Sequence, residues 1–205
     1  AIAAAAAPQL PDFNPQNLAN TAWAYAAADI PSNALFEGSR FAELCHAAAE
    51  LFNSTDLCQL HQWLLWLEER TLAWPRLSPA LATRCRERFR AEEGAPSRLQ
   101  HRVVAALAAM GLPLREEVRT PLEYSLDAAV DFEGREVAVE VDGPSRFVGR
   151  VPAGATALKR RQLRAAGWTL LSVPYWEWER LEEEVVDGRG TSPSAYLERE
   201  LRLTG

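Results

Sequence analysis

The sequence predicts an α+β protein whose first half is helical and whose second half contains a small sheet. Up to about residue 110, apolar side chains recur every three or four positions, as on one face of a helix. After Pro113 they alternate with polar ones, as in strands. We therefore expect an α-helical, repeat-like region at residues 1–94 and a mixed domain at residues 95–205.

Four helices are predicted in the first region. The first begins near Pro15, a residue that the first turn of a helix tolerates, and carries Leu18, Ala22 and Ala26 on one face. The other three are expected at residues 39–52, 56–69 and 79–93.

A faint internal repeat relates two of these helices. Phe13-Asn14 recurs as Phe52-Asn53 and Leu18 recurs as Leu57, an offset of 39 residues. This spacing is typical of paired-helix solenoid units, each of which needs a neighbour to cover its apolar face. The repeat therefore predicts the end of a longer helical array. The chain begins with Ala rather than Met, which also indicates a piece of a longer protein.

The second domain is predicted to open with a helix. Ser97 and Gln100 form a potential capping box, and Gly111 marks the end of the helix. Two strands joined by a tight turn at Glu133-Gly134 follow. Strands are expected at residues 116–119, 124–132, 135–141 and 169–173, and further helices at residues 155–166, 176–186 and 193–203.

Composition excludes several classes of protein. Apolar stretches such as residues 22–28 and 64–67 fall well short of the ~20 residues that cross a bilayer, so no membrane span is expected. The three cysteines have no C-x-x-C spacing, so neither a disulfide framework nor a cysteine zinc site is predicted.

Charge is unevenly distributed around a net value of −6. Residues 1–69 carry one basic and eight acidic groups, residues 70–119 ten and five, and residues 120–205 eleven and fifteen. A basic middle segment can attract a polyanion despite the net charge. Its arginines either face such a partner or pair with Glu87, Glu92 and Glu93 on solvated helix faces. They are Arg76, Arg84, Arg86, Arg88, Arg90, Arg98 and Arg102.

Three carboxylates are expected to share one end of the sheet. If Glu133-Gly134 is a two-residue loop, residues whose numbers add to 267 face each other, which places Asp127 opposite Glu140. Asp142 follows two residues later on the same face. These like charges need a cation, a shared proton or exposure to water, unless they form an ordinary ion-pair network. The cation is either Mg²⁺ or one of the basic residues of the next helix, Lys159, Arg160, Arg161 and Arg164.

Three stretches resemble the RAP domain, an RNA-binding domain named for its abundance in apicomplexans. They lie between Ser97 and Trp178 and read SRLQHRVVAALAAMGLP, SLDAAVDFEGREVAVEVDGPSRF and LKRRQLRAAGWTLLSVPYWEW. The string FNPQNLANTAWAYA at residues 13–26 resembles the helices that precede RAP domains in algal octotricopeptide-repeat proteins and in related mitochondrial families.

The resemblance implies a fold and a chemistry. RAP domains are similar in fold to restriction-endonuclease-like nucleases of the PD-(D/E)xK and very-short-patch-repair types, in which Asp127, Glu140 and Asp142 would take the positions of the metal ligands. Two departures argue against catalysis. Asp142 stands where the nuclease pattern has Lys, and Arg146, which cannot serve as a base, stands where RAP domains often have His. No cofactor is therefore predicted firmly, and Mg²⁺ stays open.

The predicted RNA contacts follow from the same comparison. Arg146 lies in the loop after the acids, and the aromatic residues Trp176 and Trp178 either stack on unpaired bases or belong to the core. The contacts predicted for RNA are Arg146, Lys159, Arg160, Arg161, Arg164 and Trp176.

Three functions remain open. The leading one is a non-catalytic RNA-binding protein of mitochondria or chloroplasts that acts on rRNA or an organellar transcript, in RNA processing, RNA stability or ribosome assembly. The second is a metal-dependent endoribonuclease that uses Asp127, Glu140, Asp142 and Lys159. The third is a scaffold that docks ribosomal or other proteins in an organellar ribonucleoprotein through its acidic helices.

Overall fold

A computed structural model of the chain describes residues 2–92, 94–186 and 190–204. The chain divides into two compact units, residues 1–92 and 93–205. The first unit is helical and the second combines helices with a small sheet, so the predicted α+β class is confirmed. Over the described residues, no helix has the length and apolar character needed to cross a membrane.

The first unit contains the four predicted helices and two short ones that the sequence did not reveal. Expected helix 39–52 is too long, because the helix stops at Ala47 and a short 3-10 turn follows. Glu93, the expected end of the fourth helix, lies outside the described residues. The helices are α1 (Ile2–Ala6), α2 (Pro15–Ala28), α3 (Asn33–Phe36), α4 (Arg40–Ala47), α5 (Ser54–Glu69) and α6 (Pro79–Arg90).

Helices α2 and α5, which carry the internal repeat, begin in the same way. The Asn14 side chain accepts from the backbone N–H of Asn17, whose side chain accepts in return from the backbone N–H of Asn14. Asn53 and Asp56 form the same reciprocal pair at the start of α5. Each Phe-Asn pair of the repeat is thus a helix start.

The same two helices pack side by side through residues that are 39 positions apart. Trp23 Nε1 donates to Gln62 Oε1 at 2.9 Å, and Gln59 Nε2 donates to Asn20 Oδ1 at 3.0 Å. The offset found in the sequence is therefore also the offset of lateral contacts between α2 and α5. Assignment of these helices to octotricopeptide repeats stays a prediction.

The second unit combines helices and strands over its described residues. They are α7 (Arg98–Ala109), β1 (Leu114–Arg119), β2 (Ser125–Phe132), β3 (Arg135–Asp142), β4 (Phe147–Val148), β5 (Val151–Pro152), α8 (Gly154–Ala165), β6 (Thr169–Pro174), α9 (Tyr175–Val186) and α10 (Pro193–Leu203). Four strands form a sheet of order β1-β2-β3-β6. The first three strands are antiparallel, whereas β6 runs parallel to β3 and is reached through a small hairpin and α8.

The predicted hairpin register is confirmed. Glu133 and Gly134 both have positive φ angles, 52° and 76°, as a type I′ turn requires. The pairs from Ala128 and Val139 to Phe132 and Arg135 each add to 267. Asp127 and Glu140 occupy the next position along the two strands.

The predicted capping box of α7 is only half formed. Ser97 Oγ accepts from the backbone N–H of Gln100 at 3.1 Å. The Gln100 side chain turns away from the cap and donates to Glu117 Oε1 at 2.6 Å instead. The helix start is nevertheless where the sequence places it.

Alternation along the strands gives the sheet two different faces. One face contributes Val130, Val139 and Val173 to the main core, where they pack with Leu107 of α7 and Trp178 of α9. On β3, the residues that alternate with Val139 point to the other face. Among them, Glu140 and Asp142 contact α8. The predicted acids therefore lie between the sheet and α8.

Candidate functional site

The carboxylates lie at the sheet end where β2 begins and β3 ends, and they are largely removed from solvent. Glu140 is 7% exposed and Asp142 is 3% exposed. Asp127 Oδ2 accepts from the backbone N–H of Val141 at 2.7 Å, a hydrogen bond that joins the start of β2 to the end of β3. Two buried acids and a half-buried one at the same sheet end require compensating donors.

Lys159 supplies the first compensating cation. Its Nζ lies 2.5 Å from Glu140 Oε2 and donates to the backbone carbonyl of Ser125 at 2.7 Å. The other oxygen of Glu140, Oε1, is buried and has no hydrogen-bond partner among the described residues. Lys159 is therefore an integral part of the carboxylate face.

Arg160 supplies the second cation. Its Nη2 lies 2.5 Å from both Asp142 Oδ2 and Ser172 Oγ, and Ser172 Oγ donates to the same carboxylate oxygen at 2.7 Å. Two successive residues of α8 thus neutralise two acids of β3. The sequence analysis gave the basic residues of α8 as the alternative to Mg²⁺ for this role. It did not single out Ser172, whose role depends on the parallel pairing of β6 with β3.

Burial and charge shift the titration of two of these acids. Burial raises the pKa of Glu140 from 4.5 to about 7; Lys159 opposes this shift and Asp127 adds to it. Burial also raises the pKa of Asp127, while its hydrogen bond from Val141 and the charge of Lys159 lower it. The site therefore favours the protonated form of Glu140 more than water does.

Glu117 is a fourth carboxylate at this site, which the sequence analysis missed. The register of β1 with β2 places Glu117 opposite Asp127, and its charge contributes to the raised pKa of Asp127. Glu117 has a φ of 49°, and its carboxylate accepts from Gln100 and Ser125. The pairing register of β1 with β2 could have revealed Glu117, but the sequence analysis predicted only the register of β2 with β3.

The carboxylates do not fit a divalent metal ion in this arrangement. Lys159 and Arg160 hold Glu140 and Asp142 separately, and the Asp127 side chain is engaged by the backbone. Across residues 2–92, 94–186 and 190–204, no three Asp, Glu, His or Cys side chains form a potential metal-binding group. Of the expected metal set, Glu140 and Asp142 form ion pairs with α8, and Asp127 accepts from the backbone of β3.

The predicted RNA contacts on α8 differ in accessibility. Lys159 and Arg160 turn inward to the carboxylates, so they are not free to contact phosphates. Arg161 is half-buried, whereas Arg164 is exposed near the end of the helix. Arg146 is exposed in the segment after β3. The solvent-facing part of the predicted set is thus Arg146 and Arg164.

A small hairpin follows Arg146. Phe147 pairs with Pro152 and Val148 with Val151, which leaves Gly149 and Arg150 as a two-residue loop. Gly149 has a φ of 64°, which fits the first loop position of a type II′ turn. The sequence analysis missed this hairpin, although a Gly-X pair between β-branched residues is its signal.

The two candidate tryptophans have different environments. Trp178 is 2% exposed and donates to Glu182 at 2.7 Å, so it belongs to the core. Trp176 is half-buried, and its ring lies 4.5 Å from the Phe147 ring and 5.6 Å from the Arg150 guanidinium. Only Trp176 therefore lies beside exposed arginine.

Several arginines of the basic middle segment pair with acids. Arg84 lies 2.9 Å from Glu50, Arg88 lies 2.8 Å from Glu92, and Arg102 lies 2.5 Å from Glu182. For Arg88 the structure favours the second alternative, pairing with an acid of the same segment, whereas Arg84 and Arg102 pair with acids that the sequence analysis did not name. Glu93, one of the acids expected there, lies outside the described residues.

Comparison with known proteins identifies the domain. The family model of the RAP domain matches residues 139–187, which run from the end of β3 through α8 and β6 into α9. A curated relative from Oryza sativa subsp. japonica is described as a RAP domain-containing protein, chloroplastic. It is 30% identical over 187 residues, which cover 84% of this chain and 28% of the relative. The chain carries a RAP domain and spans less than a third of the length of this relative.

Proposed function

We propose that this protein binds RNA in an organelle through a RAP domain that does not cleave its ligand. The match to the RAP domain at residues 139–187 carries this proposal, because that segment includes Arg146, Arg164 and Trp176. The relative is described as chloroplastic, which supports an organellar location, and the chloroplast is the organelle that we propose. The bound RNA is rRNA or an organellar transcript, and the role is in processing, stability or ribosome assembly.

The ion pairs of the carboxylate face support a non-catalytic function. Cleavage of a phosphodiester needs positive charge that is available to the transition state and a means to activate water. Here Arg160 is held by Asp142 and Ser172, and Lys159 is held by Glu140 and Ser125. Both cations are therefore engaged by groups of the domain itself.

Salt-dependent binding to single-stranded RNA tests the proposed function. Replacement of Arg146 and Arg164 by Ala should lower the affinity and reduce the salt slope by about one per lost phosphate contact. Arg202→Ala is the matched control, because Arg202 is an exposed arginine on α10, which packs on the other face of the sheet. Unchanged affinity and slope in the double variant would exclude these two arginines as the contact surface.

An endoribonuclease is the second candidate, because Lys159 does reach Glu140 as that hypothesis required. Single-turnover cleavage of structured and unstructured RNA with Mg²⁺ or Mn²⁺ distinguishes the two functions. We expect no cleavage above background from the wild-type chain. Metal-dependent cleavage that Asp127→Asn and Glu140→Gln both abolish would make the nuclease the better assignment.

A further inference from the structure

Four side chains form a continuous series from the buried carboxylate face to the protein surface. The Arg160 guanidinium lies 5.8 Å from the centre of the Phe147 ring. The Phe147 ring meets Trp176 edge-on, with centroids 4.5 Å apart. The Arg150 guanidinium lies over the outer part of this series, 5.6 Å from the Trp176 ring. The series therefore ends in an exposed cation on a half-buried indole.

The inner end of the series is largely buried and the outer end is exposed. Arg160, which lies beside Phe147, is held by Asp142 and Ser172. Arg150 is an exposed residue of the two-residue loop between β4 and β5. The neighbouring Val148 and Val151 are 76% and 69% exposed, so the hairpin projects into solvent. Arg150 can leave Trp176 without disturbing the core.

The relevant energies favour exchange of Arg150 for a base. An exposed cation over an aromatic ring is a weak contact, because the guanidinium keeps most of its hydration. Stacking of an unpaired base on an aromatic side chain is stronger, since it removes two apolar faces from water. A base therefore competes successfully for the Trp176 ring, and the released guanidinium becomes available for a phosphate.

We propose that an unpaired RNA base stacks on Trp176 in place of Arg150, and that Arg150 then binds an adjacent phosphate. This inference rests on the proposed RNA-binding function and assigns its contact element, the hairpin from Phe147 to Pro152. It specifies single-stranded RNA, because a base within a duplex does not expose its face to a protein ring. Phe147 lies against Trp176 on its inner side, and Arg160 lies against Phe147.

The test uses a short single-stranded RNA that carries the fluorescent base 2-aminopurine, whose emission falls when it stacks on an aromatic ring. Binding of the wild-type chain should quench the emission. Trp176→Leu should abolish the quenching and weaken binding about 5- to 100-fold, as loss of one stacked base predicts. Trp168→Leu is the matched control, since Trp168 is another half-buried tryptophan of the same unit.

A second variant separates the two steps of the proposal. Arg150→Ala removes an exposed side chain and should not affect folding, which circular dichroism and thermal melting will check for every variant. It should reduce the salt slope by about one while the quenching remains, because Trp176 stays available to the base. Trp176→Phe should retain part of the quenching.

The outcomes distinguish this inference from the proposed function. RNA binding with unchanged affinity in folded Trp176→Leu, or quenching that persists in that variant, would overturn the stacking assignment and leave RNA binding intact. Absence of any RNA binding by the wild-type chain at low salt would remove the proposed function, and the stacking assignment with it.

Discussion

At the scale of single residues, the most informative feature is the pairing of two basic residues of α8 with two acids of β3. Lys159 and Arg160 are adjacent basic residues, yet each is bound to a separate buried acid. Removal of one partner from a buried pair usually costs more than the pair itself contributes, because the remaining charge lacks compensation. Replacement of Lys159 or Arg160 is therefore expected to lower the free energy of unfolding. The exposed Arg146, Arg150 and Arg164 remain available to a ligand.

The raised pKa of Glu140 predicts a pH-dependent contribution to stability. The folded state binds the Glu140 proton more readily than the unfolded state does, so the contribution of Glu140 to the free energy of unfolding should rise as pH falls from about 8 to about 5. The shift from 4.5 to about 7 corresponds to about 3 kcal/mol at most. Glu140→Gln should lack this rise in urea unfolding at successive pH values.

Glu136→Gln provides the matched control for this measurement. Glu136 lies at the other end of the same strand with an exposed side chain. Its replacement should leave the wild-type pH profile in place. A profile that is identical in wild-type protein and Glu140→Gln would mean that Glu140 is ionised normally in the folded state.

The sequence predicted which acids share a face of the sheet, but not which side chain pairs with each of them. Strand periodicity and the turn at Glu133-Gly134 determine which acids share a face, because the side chains of a strand alternate strictly. The position of Arg160 on Asp142 depends on how α8 packs against the sheet, which no local pattern specifies. Ser172 joins the site for the same non-local reason.

At the scale of secondary-structure elements, the two hairpins of the RAP-containing unit show what turn chemistry can predict. The turn at Glu133-Gly134 was predicted because it lies between two long alternating strands. The hairpin from Phe147 to Pro152 was missed because its strands have only two residues each, too few for a periodic pattern. Gly149 was its one local signal.

Gly134 is predicted to matter more for stability than Gly143. Gly134 has a φ of 76°, so Gly134→Ala should lower the free energy of unfolding by about 1–2 kcal/mol. Gly143 has a φ of −71° and open space around its Cβ position, so Gly143→Ala should be neutral or slightly stabilising. Equal effects of the two changes in denaturant unfolding would contradict a type I′ turn at residues 133 and 134.

At the scale of the whole molecule, a helical unit precedes a unit that carries a RAP domain. The paired contacts between α2 and α5, such as that of Trp23 with Gln62, repeat at the offset seen in the sequence. The sequence analysis identified the offset but not this pairing, in which equivalent residues of the two helices are neighbours. It could not predict the short helices α1 and α3, which are shorter than the windows in which helical periodicity is detectable.

Crosslinking in a chloroplast extract tests the central claim, that this chain is an organellar RNA-binding protein. The tagged chain would be irradiated in the extract and purified under denaturing conditions, and the attached RNA would be sequenced. We expect rRNA or specific transcripts to be enriched over an untagged control and reduced in the variant with Arg146, Arg150 and Arg164 replaced by Ala. Recovery of no RNA above the control, or equal recovery with that triple variant, would contradict RNA binding through this surface of the RAP-containing unit.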